Sequence, residues 1–292
     1  MSIALSIPSQ LALASGTKLP GYYVDQAWLQ DHLSADDLRI VQVGGEKYFD
    51  RMHIPGAQLL SYSQIVEMRD GVGGMRREKK ALIELFGKLG IGPQTRVVAY
   101  DLSGGVDGAR LIWTLVSLGH QGGVALLDGG LGRWYEEQRP MAQERHSVAA
   151  VEFISQDDDR WEISAEQLLA HTEGQWPGKI LDVRSESEYV GMVRQGPRGH
   201  IKGAVHLDWS QALRNPRDSR LKDVETLKAQ FEKAGLTDPN QEIVVYCETG
   251  HRASQSWLLL QELGFRAVRL FDGSISEWRV RDLPVVAGLN PE

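Results

Sequence analysis

The sequence holds a single cysteine, Cys247, among 292 residues. One thiol cannot close an intrachain disulfide or build a cysteine-rich metal site. The 8 histidines show no metal-ligand spacing either, so no metal is expected. No apolar run approaches the roughly 20 residues that span a bilayer. Cations are outnumbered, 32 against 39, and the net charge of −7 argues against a general nucleic-acid binder. The glycine-rich stretches 71–74 and 104–108 lack the lysine of a P-loop and the spacing of a dinucleotide fingerprint, and read as loops. Residues 1–16 carry no Lys or Arg before their apolar stretch, and Pro8, Ser9 and Gln10 interrupt it. They read as an arm of the mature chain, with a weak export signal as the alternative. A lone free thiol suits a reduced compartment, and the cytoplasm is the expected location.

What is present is an ordinary globular composition, 42% hydrophobic and 24% charged, in a chain long enough for two domains. The chain also repeats itself. His53-Ile54-Pro55-Gly56-Ala57 is answered by His200-Ile201-Lys202-Gly203-Ala204. Val97-Val98-Ala99-Tyr100 is answered by Val244-Val245-Tyr246, the two ending at equivalent tyrosines. Asp128-Gly129, Trp134 and Pro140 are answered at one constant offset by Asp272-Gly273, Trp278 and Pro284. An ordered series of this kind signals two copies of one unit. We place the domains at 1–142 and 161–292, with 143–160 as the linker.

Each copy alternates β-rich runs with helix-forming runs, which predicts an α/β fold with a mainly parallel sheet flanked by helices. In the second copy the strands are expected at 180–183, 204–207, 243–246 and 268–271. Helices are expected at 186–191, 224–234 and 253–263. Cys247 then stands in a loop, 247–252, between an apolar strand and a helix. Free N–H groups at a helix N-terminus favour an anion, and the thiolate is the nucleophilic form of cysteine. An inert buried cysteine is the ordinary alternative. The polar, glycine-containing loop favours reactivity. Aligning Tyr100 with Tyr246 puts Asp101 at the cysteine position, so the first copy keeps the fold without the nucleophile. Its expected role is to pack against the second copy and wall the cleft.

These residues resemble the tandem-domain rhodanese (thiosulfate sulfurtransferase) family. The likeness rests on Asp101 in an inactive first repeat and on D-x-R-x4-Y at Asp182, Arg184 and Tyr189. It rests also on G-H-I-x-G-A at 199–204, the strand-Cys-loop-helix, and D-G-x4-W closing each repeat. The resemblance implies two rhodanese-like domains, the second catalytic, and sulfur transfer through a persulfide on Cys247. It implies no cofactor, small sulfur donors and acceptors such as thiosulfate and cyanide, and a protein thiol as a further acceptor; a monomer is expected because two repeats in one chain already build the domain pair. No nucleic acid or membrane is implied. Vertebrate thiosulfate enzymes have a basic loop after the cysteine, and mercaptopyruvate enzymes carry C-G-S-G-V; this chain has neither. Its C-x-T-x-H-R is similar to loops of some bacterial rhodaneses. Glu188 stands where the vertebrate members have an anion-binding arginine.

The expected anion loop is Glu248, Thr249, Gly250, His251 and Arg252. Gly250 permits unusual backbone angles, and backbone N–H groups converge on the sulfur. Thr249 offers a hydroxyl or shapes the turn, and His251 tunes the thiolate or shapes the loop. Glu248 is expected to face solvent, since an inward carboxylate would oppose the thiolate. Arg252 caps, pairs or binds substrate, and Asp182, at the end of a predicted strand, is its expected partner in a supporting, structural role. His53 and His200, matched in both copies, read as structural, as do Trp134 and Trp278. The rival chemistry is that of a cysteine phosphatase or arsenate reductase. Those phosphatases use C-x5-R, whereas Cys247 to Arg252 is C-x4-R, a tighter ring better suited to one sulfur atom. A non-catalytic binding or protein-to-protein relay module is the second alternative.

Overall fold

The computed structural model describes residues 18–156, 158–174, 176–192 and 199–290. The N-terminal arm and the insert at 193–198 lie outside them. The first repeat begins β1 (Tyr23–Val24), α1 (Gln26–Asp31), β2 (Leu38–Val43), α2 (Glu46–Phe49) and β3 (Gln58–Leu60). A hairpin, β4 (Val66–Arg69) and β5 (Val72–Arg76), follows. The repeat ends α3 (Lys79–Lys88), β6 (Arg96–Tyr100), α4 (Val106–Ser117), β7 (Val124–Leu127) and α5 (Gly130–Glu136). The second repeat opens with α6 (Ala165–Glu173), β8 (Lys179–Asp182), α7 (Glu186–Tyr189), β9 (His200–Ile201) and β10 (Ala204–His206). Its own hairpin is β11 (Leu213–Asn215) and β12 (Asp218–Leu221). It closes with α8 (Val224–Lys233), β13 (Glu242–Tyr246), α9 (His251–Glu262), β14 (Ala267–Leu270), α10 (Ser274–Val280) and β15 (Val285–Val286).

The first repeat forms a 5-stranded sheet in the order β1-β7-β6-β2-β3, the second a 4-stranded sheet in the order β10-β8-β13-β14. All pairings within both sheets are parallel. The central strands β6 and β13 are covered on both faces, which is why they read as unbroken apolar runs rather than alternating ones. The two strands end in register with β2 and β8. Tyr100 lies opposite Gln42, and Tyr246 lies opposite Asp182. The predicted strands fall on the observed ones within a residue. The helix predicted from residue 253 instead starts at His251, behind the N-cap Gly250. The loop is thus 247–250, and His251 and Arg252 belong to the first helical turn. Their polar side chains hide that turn from an apolar-period reading.

The largest core runs through both repeats, joining Val97, Ile112 and Trp113 to Val245, Trp257 and Leu258. Helices α4 and α9, which hold equivalent places in the two copies, pack against each other. The hairpins reach across as well. From β5, the Arg76 N–H donates to Asp272 Oδ2 at 2.7 Å, and from β12 the Leu221 N–H donates to Asp128 Oδ1 at 2.8 Å. Each aspartate heads its repeat's D-G turn. The matched pairs from the sequence are structural. His53 and His200 are buried, with Nδ1 2.7 Å from Phe49 O and 2.9 Å from Tyr189 O. Trp134 and Trp278 are buried and donate to the carbonyls of Pro140 and Pro284, each at 2.8 Å.

Candidate active site

Cys247 is the first residue beyond β13 and is 0% exposed. Hydrogen bonds from both backbone and side chains pin the loop to the turn after β14 and the start of α10. The Cys247 N–H and the Gly250 N–H both donate to Ser274 Oγ, at 3.1 and 2.9 Å. The Cys247 carbonyl accepts from the Ile275 N–H at 3.1 Å. The Ser274 hydroxyl donates its hydrogen bond to the Phe271 carbonyl at 2.9 Å, so its oxygen is left to accept. It does so from a left-handed backbone, φ 50°, a conformation held by the surrounding contacts. The first repeat has Gly130 at this place, with φ 54°. Sequence reading missed Ser274, although the substitution of serine for glycine after a repeated D-G pair was visible.

Gly250 is required where it stands. Its φ is +74°, and an added Cβ would lie 2.7 Å from the Asp272 carbonyl oxygen and 2.8 Å from Arg110 Nη1. Beyond it the 12-residue α9 begins. Among the described residues, the N–H groups of Glu248, Thr249, His251, Arg252 and Ala253 have no protein acceptor. Orphan N–H groups around a helix mouth form a cradle for an anion.

The side chains of the loop turn to their neighbours. Arg252 donates from Nη1 and Nη2 to Glu188 Oε2 and Oε1, both at 2.8 Å. The expectation that Asp182 pairs with Arg252 is therefore overturned. Asp182 accepts from the Arg184 N–H, Nε and Nη2 and from the Tyr246 hydroxyl, the last at 2.7 Å, and both it and Arg184 are 0% exposed. Asp182 is spent on its own neighbours before Arg252 can reach it. Burial alone would raise the Glu188 carboxyl, but hydrogen bonds from Arg252 and Ser185 outweigh it and hold it down at about 2. Glu248 turns to α10, accepting from Ser276 Oγ at 3.1 Å with Arg279 3.7 Å away.

The first repeat closes round this loop. His251 Nε2 lies 2.7 Å from Asp107 Oδ1, and its ring packs on Tyr62 with centroids 4.5 Å apart. Gly74 of β5 sits on Thr249, where an added Cβ would approach the Thr249 Cβ to 2.8 Å. Arg110 of α4, wholly buried, pairs with Asp272 at 2.5 Å and donates to the Gly74 carbonyl at 3.0 Å. The arginines around the loop thus each carry a carboxylate partner, and the cradle of N–H groups is left to meet an incoming anion.

The first repeat shows this cradle filled. Asp101 follows β6 as Cys247 follows β13, and its carboxylate accepts from the N–H groups of Ser103, Gly105 and Gly108, each at 2.9 Å. Gly105 is the N-cap of α4 and Gly108 its third residue, the places held by Gly250 and Ala253 in α9. Burial pushes the Asp101 carboxyl up, and the three N–H donors pull it back. The Leu131 N–H donates to the Asp101 carbonyl as the Ile275 N–H does to Cys247. A carboxylate oxygen is two bonds from Cβ, as the outer sulfur of a persulfide would be. The first copy holds a carboxyl group where the second offers a thiol.

Among the described residues no group of three or more His, Cys, Asp or Glu is placed to hold a metal ion, and no helix is long and apolar enough to cross a membrane. The model of the rhodanese-like domain matches the chain twice, at residues 25–137 and 164–281. The chain belongs to the rhodanese-like family, with two such domains in tandem. It is similar to a thiosulfate sulfurtransferase of Azotobacter vinelandii, 33% identical over 256 residues that cover 87% of this chain and 93% of the relative. It is also similar to the sulfur carrier protein TtuD of Thermus thermophilus, 32% identical over 286 residues, 92% of this chain and 98% of that one. In fold it matches the crystal structure of SseA from Escherichia coli, a 3-mercaptopyruvate sulfotransferase, with a TM-score of 0.77 and 22% identity over 87% of this chain and 98% of that one.

Proposed function

We propose that the protein is a sulfurtransferase that carries sulfane sulfur on Cys247, from a donor such as thiosulfate to a thiophilic acceptor. The observation that carries this reading is the paired loops: one anion cradle occupied by Asp101, its twin open around a thiol. The Cys247 thiolate attacks the outer sulfur of thiosulfate and forms an S–S bond. The bond between that sulfur and the sulfonate breaks, and sulfite leaves with its electron pair. Cyanide or a thiolate then attacks the outer sulfur, and Cys247 departs as the thiolate. Splitting the transfer in two requires that the charged intermediate be held between steps. N–H groups fixed before the reaction stabilise it without reorganisation. The chemistry is covalent and calls on no cofactor.

In this reading Glu248, Thr249, Gly250, His251 and Arg252 shape the cradle, Asp182 supports it, residues 143–160 join domains 1–142 and 161–292, and the chain acts as a cytoplasmic monomer. The likeness to a sulfur carrier protein adds protein thiols to the acceptors we infer. Phosphate chemistry is disfavoured by Arg252, whose guanidinium charge is already paired, through both terminal nitrogens, with the Glu188 carboxylate. Steady-state assay with thiosulfate and cyanide tests the proposal. Thiocyanate release that vanishes in Cys247→Ser supports it, and hydrolysis of an aryl phosphate without sulfur transfer refutes it.

A further inference from the structure

The first repeat places one group at the Cys247 site that the sequence did not single out. Tyr62 opens the short 3-10 turn Tyr62–Gln64, whose entry is fixed by a reciprocal Ser61–Gln64 capping box. Its half-buried ring rests on His251 and packs against the core shared by the two repeats. Among the described residues its hydroxyl has no hydrogen-bond partner, and the residue its ring rests on, His251, opens the first turn of α9 directly behind the cysteine loop. Burial pushes that hydroxyl well above the ordinary tyrosine range, so it stays protonated and can act only as a donor toward an anion. The equivalent residue of the second repeat is Trp209, after β10 as Tyr62 is after β3. Its ring packs on the Asp101 loop, 3.3 Å from where a Cβ on Gly104 would stand. Both loops therefore have an aromatic cover from the opposite repeat. Only the cover of the thiol loop carries a hydroxyl, and the covered loop without a thiol has no use for one.

The hydroxyl makes no hydrogen bond to the bare thiol, but a persulfide puts its outer sulfur about 2 Å farther from the strand. We propose that Tyr62, supplied by the catalytically silent repeat, donates a hydrogen bond to the outer sulfur of the Cys247 persulfide and so favours the loaded enzyme over the free thiolate. The inference rests on the persulfide reading of the site. No proton is transferred: the hydroxyl keeps its hydrogen while the outer sulfur carries the negative charge, and it is released when an acceptor removes that sulfur. A hydrogen bond to a charged group is among the stronger ones, and the first repeat thereby contributes to the chemistry as well as to the wall of the cleft.

The test is the loading equilibrium. Wild type, Tyr62→Phe and Tyr62→Trp are equilibrated in thiosulfate–sulfite mixtures at fixed pH, and the loaded fraction is read by intact-protein mass. Tyr62→Phe keeps the ring against His251, and Tyr62→Trp installs the residue of the other repeat. Both are expected to need on the order of tenfold more thiosulfate relative to sulfite for half-loading, while alkylation of unloaded Cys247 by iodoacetamide changes by less than about twofold. Unchanged half-loading in both variants overturns the inference, and so does a parallel loss in loading and alkylation, which marks a packing role. A wild-type chain that never loads overturns the underlying persulfide reading instead.

Discussion

Glu188 and Arg252 decide how much charge the cysteine loop shows to a donor. The bidentate pair leaves Arg252 neutralised beside a site that must accept an anion. In Glu188→Gln the guanidinium regains its charge toward the cleft. We expect KM for thiosulfate to fall by roughly three- to tenfold, with a smaller change in kcat, and the gain to shrink as salt rises. Steady-state kinetics at two ionic strengths check this. The acid side of the pH profile follows from the same pair. The Glu188 carboxyl is depressed to about 2 in the fold, so its contribution to stability is complete above the ordinary carboxylate range and is lost as pH falls toward 2. At this scale the place of Cys247 between strand and helix was legible in the sequence, since only one thiol exists and an apolar run, a glycine and a helix-forming run surround it. The sequence also placed Glu188 beside the site. It did not disclose Ser274 or Tyr62, because the first acts through a left-handed turn and the second arrives from the other repeat.

The strand-loop-helix element is built differently in the two repeats. Asp101 is a ligand to its own loop, so removing it strands the N–H groups of Ser103, Gly105 and Gly108. Asp101→Ala should cost about 2–3 kcal/mol in denaturant unfolding, the price of buried donors left unmet. Asp101→Cys in a Cys247→Ser background should show no thiosulfate-dependent turnover, since the first loop is longer and lacks an arginine at the matching spacing. Turnover in that double variant would contradict this account of the silent copy. The strands were legible because parallel strands buried on both faces read as continuous β-branched runs. The first turn of α9 was not, because Gly250 caps it without a side-chain signal and His251 and Arg252 are polar. The hairpins β4–β5 and β11–β12 went unread as well. They are short and polar, and what they bury becomes plain only once they cross to the opposite repeat.

In the whole molecule, the two repeats are bound into one machine. Their shared core and the crossed hairpins fix the face that each shows the other, and Arg110 ties α4 to the turn beneath the cysteine loop. Arg110 and Asp272 are 0% and 3% exposed. Breaking such a pair leaves a buried charge unmet, and Arg110→Ala should destabilise the fold by ~3–5 kcal/mol. Thermal melting would read the loss, with sulfur transfer falling alongside it because Asp272 also borders Gly250. The repeat pattern revealed this duplication in the sequence, since paired motifs at constant spacing survive divergence. The inter-repeat contacts were not legible, because each joins residues that no local period connects.

The central claim is that Cys247 holds a sulfur atom in a cradle whose twin is permanently filled by Asp101. Intact-protein mass after incubation with thiosulfate tests it most directly. The account predicts a gain of one sulfur on the wild-type chain, reversed by cyanide and absent from Cys247→Ser. A chain that gains no sulfur from thiosulfate or any other sulfane donor, or a Cys247→Ser variant that still gains one, would contradict it.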